Sequence, residues 1–181
     1  MSQERRTCYY LSLGSNLGER ALHLNRAAFL LAERDLSIRR RSSLYETEPL
    51  DMTDQPYFLN AVLKVNSVFS PSVLLGVIHE IEHRMGRTQT RDKGPRVIDI
   101  DILFAGDLVL RTEKLNLPHP RLHVRNFVLY PLLEIAPDFV HPVFKKTIRR
   151  ICREGGGEGE VRRLEASPGW PSREEMPMTE A

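Results

Sequence analysis

The chain has 181 residues, 41% hydrophobic and 28% charged, the size and composition of a globular domain with one hydrophobic core. Its two cysteines, Cys8 and Cys152, are far apart and form no C-x-x-C pair, which argues against a disulfide scaffold or structural zinc site and fits a reducing compartment. A net charge of +2 is too balanced for a nucleic-acid binder, and a polar start with no apolar run near the ~18 residues of a membrane span predicts a cytoplasmic protein.

Charge is unevenly spread. Residues 153–181 carry four arginines and seven glutamates, a charge of −3 that leaves +5 on residues 1–152. Within that body, Arg84, Arg87, Arg91, Lys93 and Arg96 face one acid, Asp92. Such a basic run beside an acidic strand suits a polyanionic small molecule.

Tyr9 to Leu13 reads as a first strand, turning at Gly14-Ser15-Asn16. Glu19 to Glu33 follows as a helix, with Leu24, Ala27, Ala28 and Leu31 on one face. Ser37 to Thr47 reads as a polar, edge-like strand, residues 49–56 as a loop, and Phe58 to Phe69 as a strand with Leu59, Ala61, Leu63 and Val65 on one side. Ser70-Pro71 starts a helix, with Ser at the N-cap and Pro at the first helical position, and Gly86 stops it. Arg96 to Phe104 is the clearest strand; two short ones follow near 108–110 and 114–117. Phe127 to Ile135 is helical, with Pro131 expected in a first turn or at a break. Strands and helices do not alternate regularly, which predicts an α+β fold with a mainly antiparallel sheet packed with helices. Residues 1–152 form the predicted catalytic domain. The Gly155-Gly156-Gly157 run and the Pro-, Glu- and Ser-rich remainder predict a disordered tail over 153–181.

The strongest chemical signal is Asp99-Ile100-Asp101-Ile102. On a strand, residues two apart share a face, so Ile98, Ile100, Ile102 and Phe104 are expected on one side and both aspartates on the other, roughly 7 Å apart. Paired carboxylates repel; magnesium, which prefers oxygen ligands, removes that penalty. Two ions bridged by such a pair would serve phosphoryl transfer. The same pattern also fits an amphipathic strand with a wet polar face. Gly94-Pro95-Arg96 tips the reading toward the metal, bringing a rigid turn and a cation to the strand. No G-x-x-x-x-G-K-[ST] or G-x-G-x-x-G occurs, so phosphates would be held by metal and side chains.

The run Asp92-Lys93-Gly94-Pro95-Arg96-Val97-Ile98-Asp99-Ile100-Asp101-Ile102-Leu103 resembles the signature of the 6-hydroxymethyl-7,8-dihydropterin pyrophosphokinases of folate synthesis. Other segments agree in order: Leu13-Gly14-Ser15-Asn16, Tyr45-Glu46-Thr47-Glu48-Pro49-Leu50, Gln55-Pro56-Tyr57-Phe58-Leu59-Asn60, Pro118-His119-Pro120-Arg121 and Arg125-Asn126-Phe127. The resemblance spans roughly Tyr9 to Pro142. It implies an antiparallel α+β sandwich with a ferredoxin-like core, acting as a monomer. It also implies ATP as co-substrate with two magnesium ions, attack of the pterin alcohol on the β-phosphorus, and release of AMP. By position it assigns Asp99 and Asp101 to the metals, with Arg87 and Arg96 beside them in catalysis. Thr47, Leu50, Phe58, Asn60 and Phe127 fall to the pterin. His79, Glu82, Arg87, Arg96, Ile102, Lys114, Asn116, His119 and Arg125 fall to the nucleotide. The chain departs from some members in a loop over 88–93 that is one residue shorter and has Lys93 where they carry tryptophan. His79, Pro120 and Asn126 replace residues common elsewhere in the family.

The residues themselves are coherent with the pterin assignment: aromatic rings and a carboxamide suit a flat heterocycle with an amide-like edge, and an Asn within an apolar strand needs a partner. Taken singly, Phe58 and Phe127 fit core packing better, and Arg87, Arg91 and Arg96 fit solvated charges. Two competing readings remain. His79-Glu80-Ile81-Glu82-His83 matches the zinc-protease pattern H-E-x-x-H, although Gln89 occupies the third-ligand position. A non-catalytic nucleotide- or RNA-binding domain would use Arg39, Arg40 and Arg41 with the basic loop.

Overall fold

The computed structural model describes residues 6–49, 54–87, 94–165 and 170. Its elements are β1 (Thr7–Ser15), α1 (Arg20–Ala32), β2 (Ser37–Arg41), β3 (Tyr45–Thr47), β4 (Phe58–Ser67), α2 (Pro71–Arg84), β5 (Asp99–Ala105), β6 (Leu110–Arg111), β7 (Asn116–Leu117), α3 (Asn126–Ile135), α4 (Ile148–Glu154) and β8 (Val161–Arg163). One sheet runs in the order β5-β1-β4-β3-β8, with β2 also paired to β4, and its pairings are antiparallel. The β1-α1-β2-β4-α2-β5 succession with spatial order β5-β1-β4-β2 is the ferredoxin-like arrangement expected.

Alternation along the strands divides the apolar residues between two layers of helix. Leu11 and Leu13 of β1, and Leu59, Ala61, Leu63 and Val65 of β4, pack with Leu24, Ala27, Ala28 and Leu31 of α1 and Leu74, Ile78 and Ile81 of α2. Tyr10 and Val62, on the opposite face, pack with Val128, Leu129, Leu132 and Ile135 of α3 and Ile148 of α4. Ser70 caps α2 as predicted, its hydroxyl accepting from Val73 N. Among the described residues no helix is long and apolar enough to cross a membrane.

The structure corrects several expectations. Phe104 does not share a side with Ile98, Ile100 and Ile102. Tyr10 pairs with Phe104 but Leu11 with Ile102, so Leu103 is an extra residue that shifts the alternation, as in a β-bulge. Leu103 and Phe104 therefore face α3. The single strand expected over Ser37–Thr47 is two, β2 and β3. Between them Ser42 turns inward, its hydroxyl accepting from Val62 N at 2.9 Å. Pro131 lies in the middle of α3 without ending it; burial of the flanking apolar residues against the sheet offsets the hydrogen bond its missing N–H removes.

The tail also differs from expectation over the residues described. The open edge of β3 accepts β8, pairing Thr47 with Val161 and Tyr45 with Arg163, which covers an otherwise unpaired strand edge. Trp170 is 7% exposed, its indole N–H donates to Ser42 O at 2.9 Å, and the Arg41 guanidinium lies 5.2 Å from its ring centroid.

Glu134 of α3 joins this layer to the sheet. Its carboxylate accepts from Ser43 N at 2.9 Å, Ser43 Oγ at 3.0 Å and Tyr45 Oη at 2.8 Å. Glu134→Ala strands these donors and should cost about 2–4 kcal/mol in urea denaturation, with Glu134→Gln losing less. Equal midpoints for the parent and Glu134→Ala would contradict this role.

Candidate active site

The site is built on a floor of small residues in the central strand. Gly14 of β1 lies between Asn60 of β4 and Asp99 of β5; two residues earlier, Ser12 lies between Val62 and Asp101. All six share the face toward α3. A glycine at 14 keeps Asn60 in place: a Cβ would lie 3.0 Å from Asn60 Oδ1 and 3.7 Å from a Phe58 ring carbon, crowding the carboxamide. Asn60 is 3% exposed, and its Nδ2 donates to Thr47 Oγ1 at 2.8 Å. That bond fixes the carboxamide.

Above this floor is a cavity of about 300 Å³, lined by Asn60, Thr47, Phe58 and Phe127 among others. Phe58 and Phe127 are both half-buried. The Arg96 guanidinium lies 5.8 Å from the Phe58 ring centroid, and that of Arg125 lies 5.5 Å from Phe127's. A second cavity of about 320 Å³ opens beside β5 and β7, lined by His79, Glu82, Ile102, Lys114 and Asn116. Arg87, Asp99, Asp101 and His119 line both cavities. The acidic pair stands at their junction.

Electrostatics at the junction are tightly organised. Asp99 Oδ1 pairs with Arg87 Nη1 at 2.8 Å and Oδ2 with Arg96 Nη1 at 3.0 Å. Burial and the neighbouring Asp99 charge push the Asp101 carboxyl up to about 6, against the attraction of Arg125, Arg87 and Arg96. Glu82, at the end of α2 and 5% exposed, accepts from Ile100 N at 2.8 Å and from Arg87. Burial raises it to about 7. His119 is lowered to about 4 by burial and by Arg125 and Arg121. Its Nδ1 accepts from Arg121 N at 3.2 Å, which leaves Nε2 as the protonated donor of a neutral ring.

Two carboxylates on one strand face, one raised by burial and by the charge of the other, fit a divalent cation. Magnesium is commonly held by one or two carboxylates and completes its shell with water and phosphate oxygens, so Asp99 and Asp101 are a sufficient protein contribution.

Every other residue predicted for the site lines one of the two cavities, except Leu50, which lies outside the described residues, as do Arg91 and Lys93. Asn16 was missed. It is 1% exposed, donates to Gln55 Oε1 at 3.0 Å and Pro56 O at 3.2 Å, and accepts from Arg96 N at 2.8 Å, so it ties the loop before Phe58 to Arg96. Its place after Gly14-Ser15 was the available signal. The zinc reading finds no support: His83 is exposed on α2, Glu80 pairs with Arg34, and among the described residues no three His, Cys, Asp or Glu side chains are placed to hold one metal ion together. Gln89 lies outside them. The RNA reading fares no better. Arg40 donates to Ile135 O at 3.1 Å and Arg41 to Asn25 Oδ1 at 3.1 Å, so both are tied to neighbouring helices.

The family model for 7,8-dihydro-6-hydroxymethylpterin-pyrophosphokinase (HPPK) matches residues 10–137. The folic acid synthesis protein fol1 of Pneumocystis carinii is 46% identical over 134 residues, 74% of this chain but 18% of its own length. The 2-amino-4-hydroxy-6-hydroxymethyldihydropteridine pyrophosphokinase of Aquifex aeolicus is 43% identical over 145 residues, 80% of this chain and 90% of its own. The chain thus spans a small part of the first relative and nearly all of the second. Among solved structures, Plasmodium falciparum HPPK-DHPS superposes with a TM-score of 0.67 at 21% identity, covering 84% of this chain and 46% of that one, which bears out the fold.

The raised Asp101 predicts a pH dependence. Both folded and unfolded forms are protonated below the ordinary carboxylate range, so nothing is lost there. As pH rises through about 6, the folded state is penalised relative to the unfolded one. Without divalent cations, Asp101→Asn should therefore exceed the parent in stability at pH 7.5 by roughly 1–3 kcal/mol, and the difference should vanish near pH 4. Magnesium should stabilise the parent and not the variant. Chemical denaturation with and without chelator checks this, and a less stable Asp101→Asn at pH 7.5 would contradict it.

Proposed function

The chain belongs to the 7,8-dihydro-6-hydroxymethylpterin-pyrophosphokinase family, and from that premise we propose that it transfers pyrophosphate from ATP to the hydroxymethyl group of 6-hydroxymethyl-7,8-dihydropterin, releasing AMP, in folate synthesis. The observation that carries this reading is the pair of cavities meeting at Asp99 and Asp101. One is flanked by aromatic rings and a fixed carboxamide; the other is rimmed by His79, Lys114, Asn116 and Arg87. A flat heterocycle in the first and a triphosphate in the second bring alcohol and phosphorus together over the acidic pair.

The chain's residues then divide the work. Phe58 and Phe127 stack on the pterin rings, while Asn60, oriented by Thr47, reads the amide-like edge; the backbone of Thr47 and Leu50 completes that edge. Arg87 and Arg96, paired with Asp99 in the structure, reach phosphate oxygens when nucleotide binds, and Arg125 approaches from the pterin side. His119 donates from Nε2 to a phosphate oxygen without adding charge. Glu82 holds Arg87 and the start of β5 in place. Two magnesium ions, held by Asp99 and Asp101, would neutralise the triphosphate and polarise the transferred phosphorus. The pterin hydroxyl oxygen forms a bond to the β-phosphorus as the bond from that phosphorus to the α,β-bridging oxygen breaks; AMP carries away the bridging oxygen, and the hydroxyl proton is released to water. Such transfer needs positioning and charge neutralisation more than covalent chemistry. The protein acts as a monomer in the cytoplasm, consistent with the free thiols of Cys8 and Cys152.

Incubation with ATP, magnesium and 6-hydroxymethyl-7,8-dihydropterin should yield AMP and the pterin pyrophosphate in equal amounts. Asp99→Ala and Asp101→Ala should lower turnover by about 10³-fold or more while the fold stays intact. ADP as the nucleotide product, or near-parental rates in either variant, would overturn the reading.

A further inference from the structure

We propose that residues 156–163, beyond the 10–137 matched by the family model, position both aromatic walls of the pterin cavity, with Asn126 and Gly157 as positioning residues; this rests on the pterin reading of that cavity. Two tethers carry the effect, one to each wall.

The first tether grips the start of α3. Asn126 is the first residue of that helix, between Arg125 and Phe127. No side chain caps the helix; instead Asn126 N donates to Glu158 O at 3.2 Å, satisfying one of the amides a helix start leaves open. Asn126 Oδ1 accepts from Gly157 N at 2.6 Å, its Nδ2 donates to Gly159 O at 3.0 Å, and Glu158 N donates to Val124 O at 3.0 Å. The contact is closed to any side chain: a Cβ on Gly157 would lie 2.5 Å from Asn126 N and 2.7 Å from both N and C of Arg125. Those are backbone atoms, so relief means moving either the start of α3 or the 156–159 segment, and either breaks the tether that holds Arg125 and Phe127.

The second tether runs through charges to the opposite wall. Arg162 of β8 pairs with Glu46 Oε2 at 2.9 Å, and Glu46 Oε1 with Arg20 at 2.9 Å. Arg20 Nη1 donates to Tyr57 O at 2.6 Å, immediately before Phe58. Pairing of Val161 with Thr47 places β8 against the strand that orients Asn60. One short segment therefore touches the supports of Phe127, Phe58 and Asn60, and nothing in it lines the nucleotide cavity.

The test is a comparison of KM values for the two substrates in full-length parent, Asn126→Gly, Asn126→Asp and Gly157→Ala. Asn126→Gly and Gly157→Ala should raise KM for the pterin by about tenfold or more and KM for ATP, which Arg125 also serves, by about threefold at most. Asn126→Asp, which still accepts from Gly157 N, should recover most of the loss. If Gly157→Ala does not fold, Asn126→Gly decides. Unchanged pterin KM values, an equal rise for both substrates, or a lowered Tm alone would overturn the proposal as a merely structural contact. A parent that does not turn over the pterin would instead remove the assignment of the cavity, and the proposal with it.

Discussion

The repulsion between Asp99 and Asp101, two residues apart on one face of β5, is the constraint around which the rest of the site is arranged. A third carboxylate, Glu82, lies behind them and is buried with its oxygen on the backbone of Ile100. Left alone, three acids in a half-buried junction would destabilise the fold. Arg87 bridges Glu82 and Asp99, Arg96 takes the other Asp99 oxygen, and Asp101 keeps a carboxyl raised by its burial and, next, by the Asp99 charge. The arrangement holds the acids in place without fully neutralising them. That residual demand for positive charge is what a divalent cation would meet.

Sheet order explains why this junction can serve two substrates. The ferredoxin-like succession puts β1 between β4 and β5, so pterin-facing groups on one neighbour and acids on the other are separated by a single strand. Ser12 and Gly14 keep that strand's upper face low. Helix α3 covers the same face further along the sheet, where the extra residue at Leu103 turns both Leu103 and Phe104 toward it. Open floor at one end and packed core at the other follow from this change within a single strand.

Much of this was legible in the residues, because the signals were local. Alternation in β4, the Ser70-Pro71 start of α2 and the spacing of Asp99 and Asp101 each depend on neighbours a few positions away. The features that were not legible depend on partners far off in sequence. Phe104 changed sides through a bulge that pairing with β1 reveals. Pro131 is carried inside α3 by burial of its neighbours. Gly155 to Arg163 reads as part of a disordered tail until the free edge of β3 and the amide of Asn126 are in view, and Trp170 anchors on Ser42 across 128 positions. Asn16 is marked in sequence only by its place after Gly14-Ser15; its role appears when Gln55, Pro56 and Arg96 converge on it.

Calorimetric titration of a non-hydrolysable ATP analogue into the metal-free protein, repeated with saturating magnesium, addresses the acidic pair most directly. Magnesium should tighten binding by about 10²-fold or more in the parent and by little in Asp99→Asn. Equal enhancement in both proteins would mean that the ion is held elsewhere, and the account of the junction would fail.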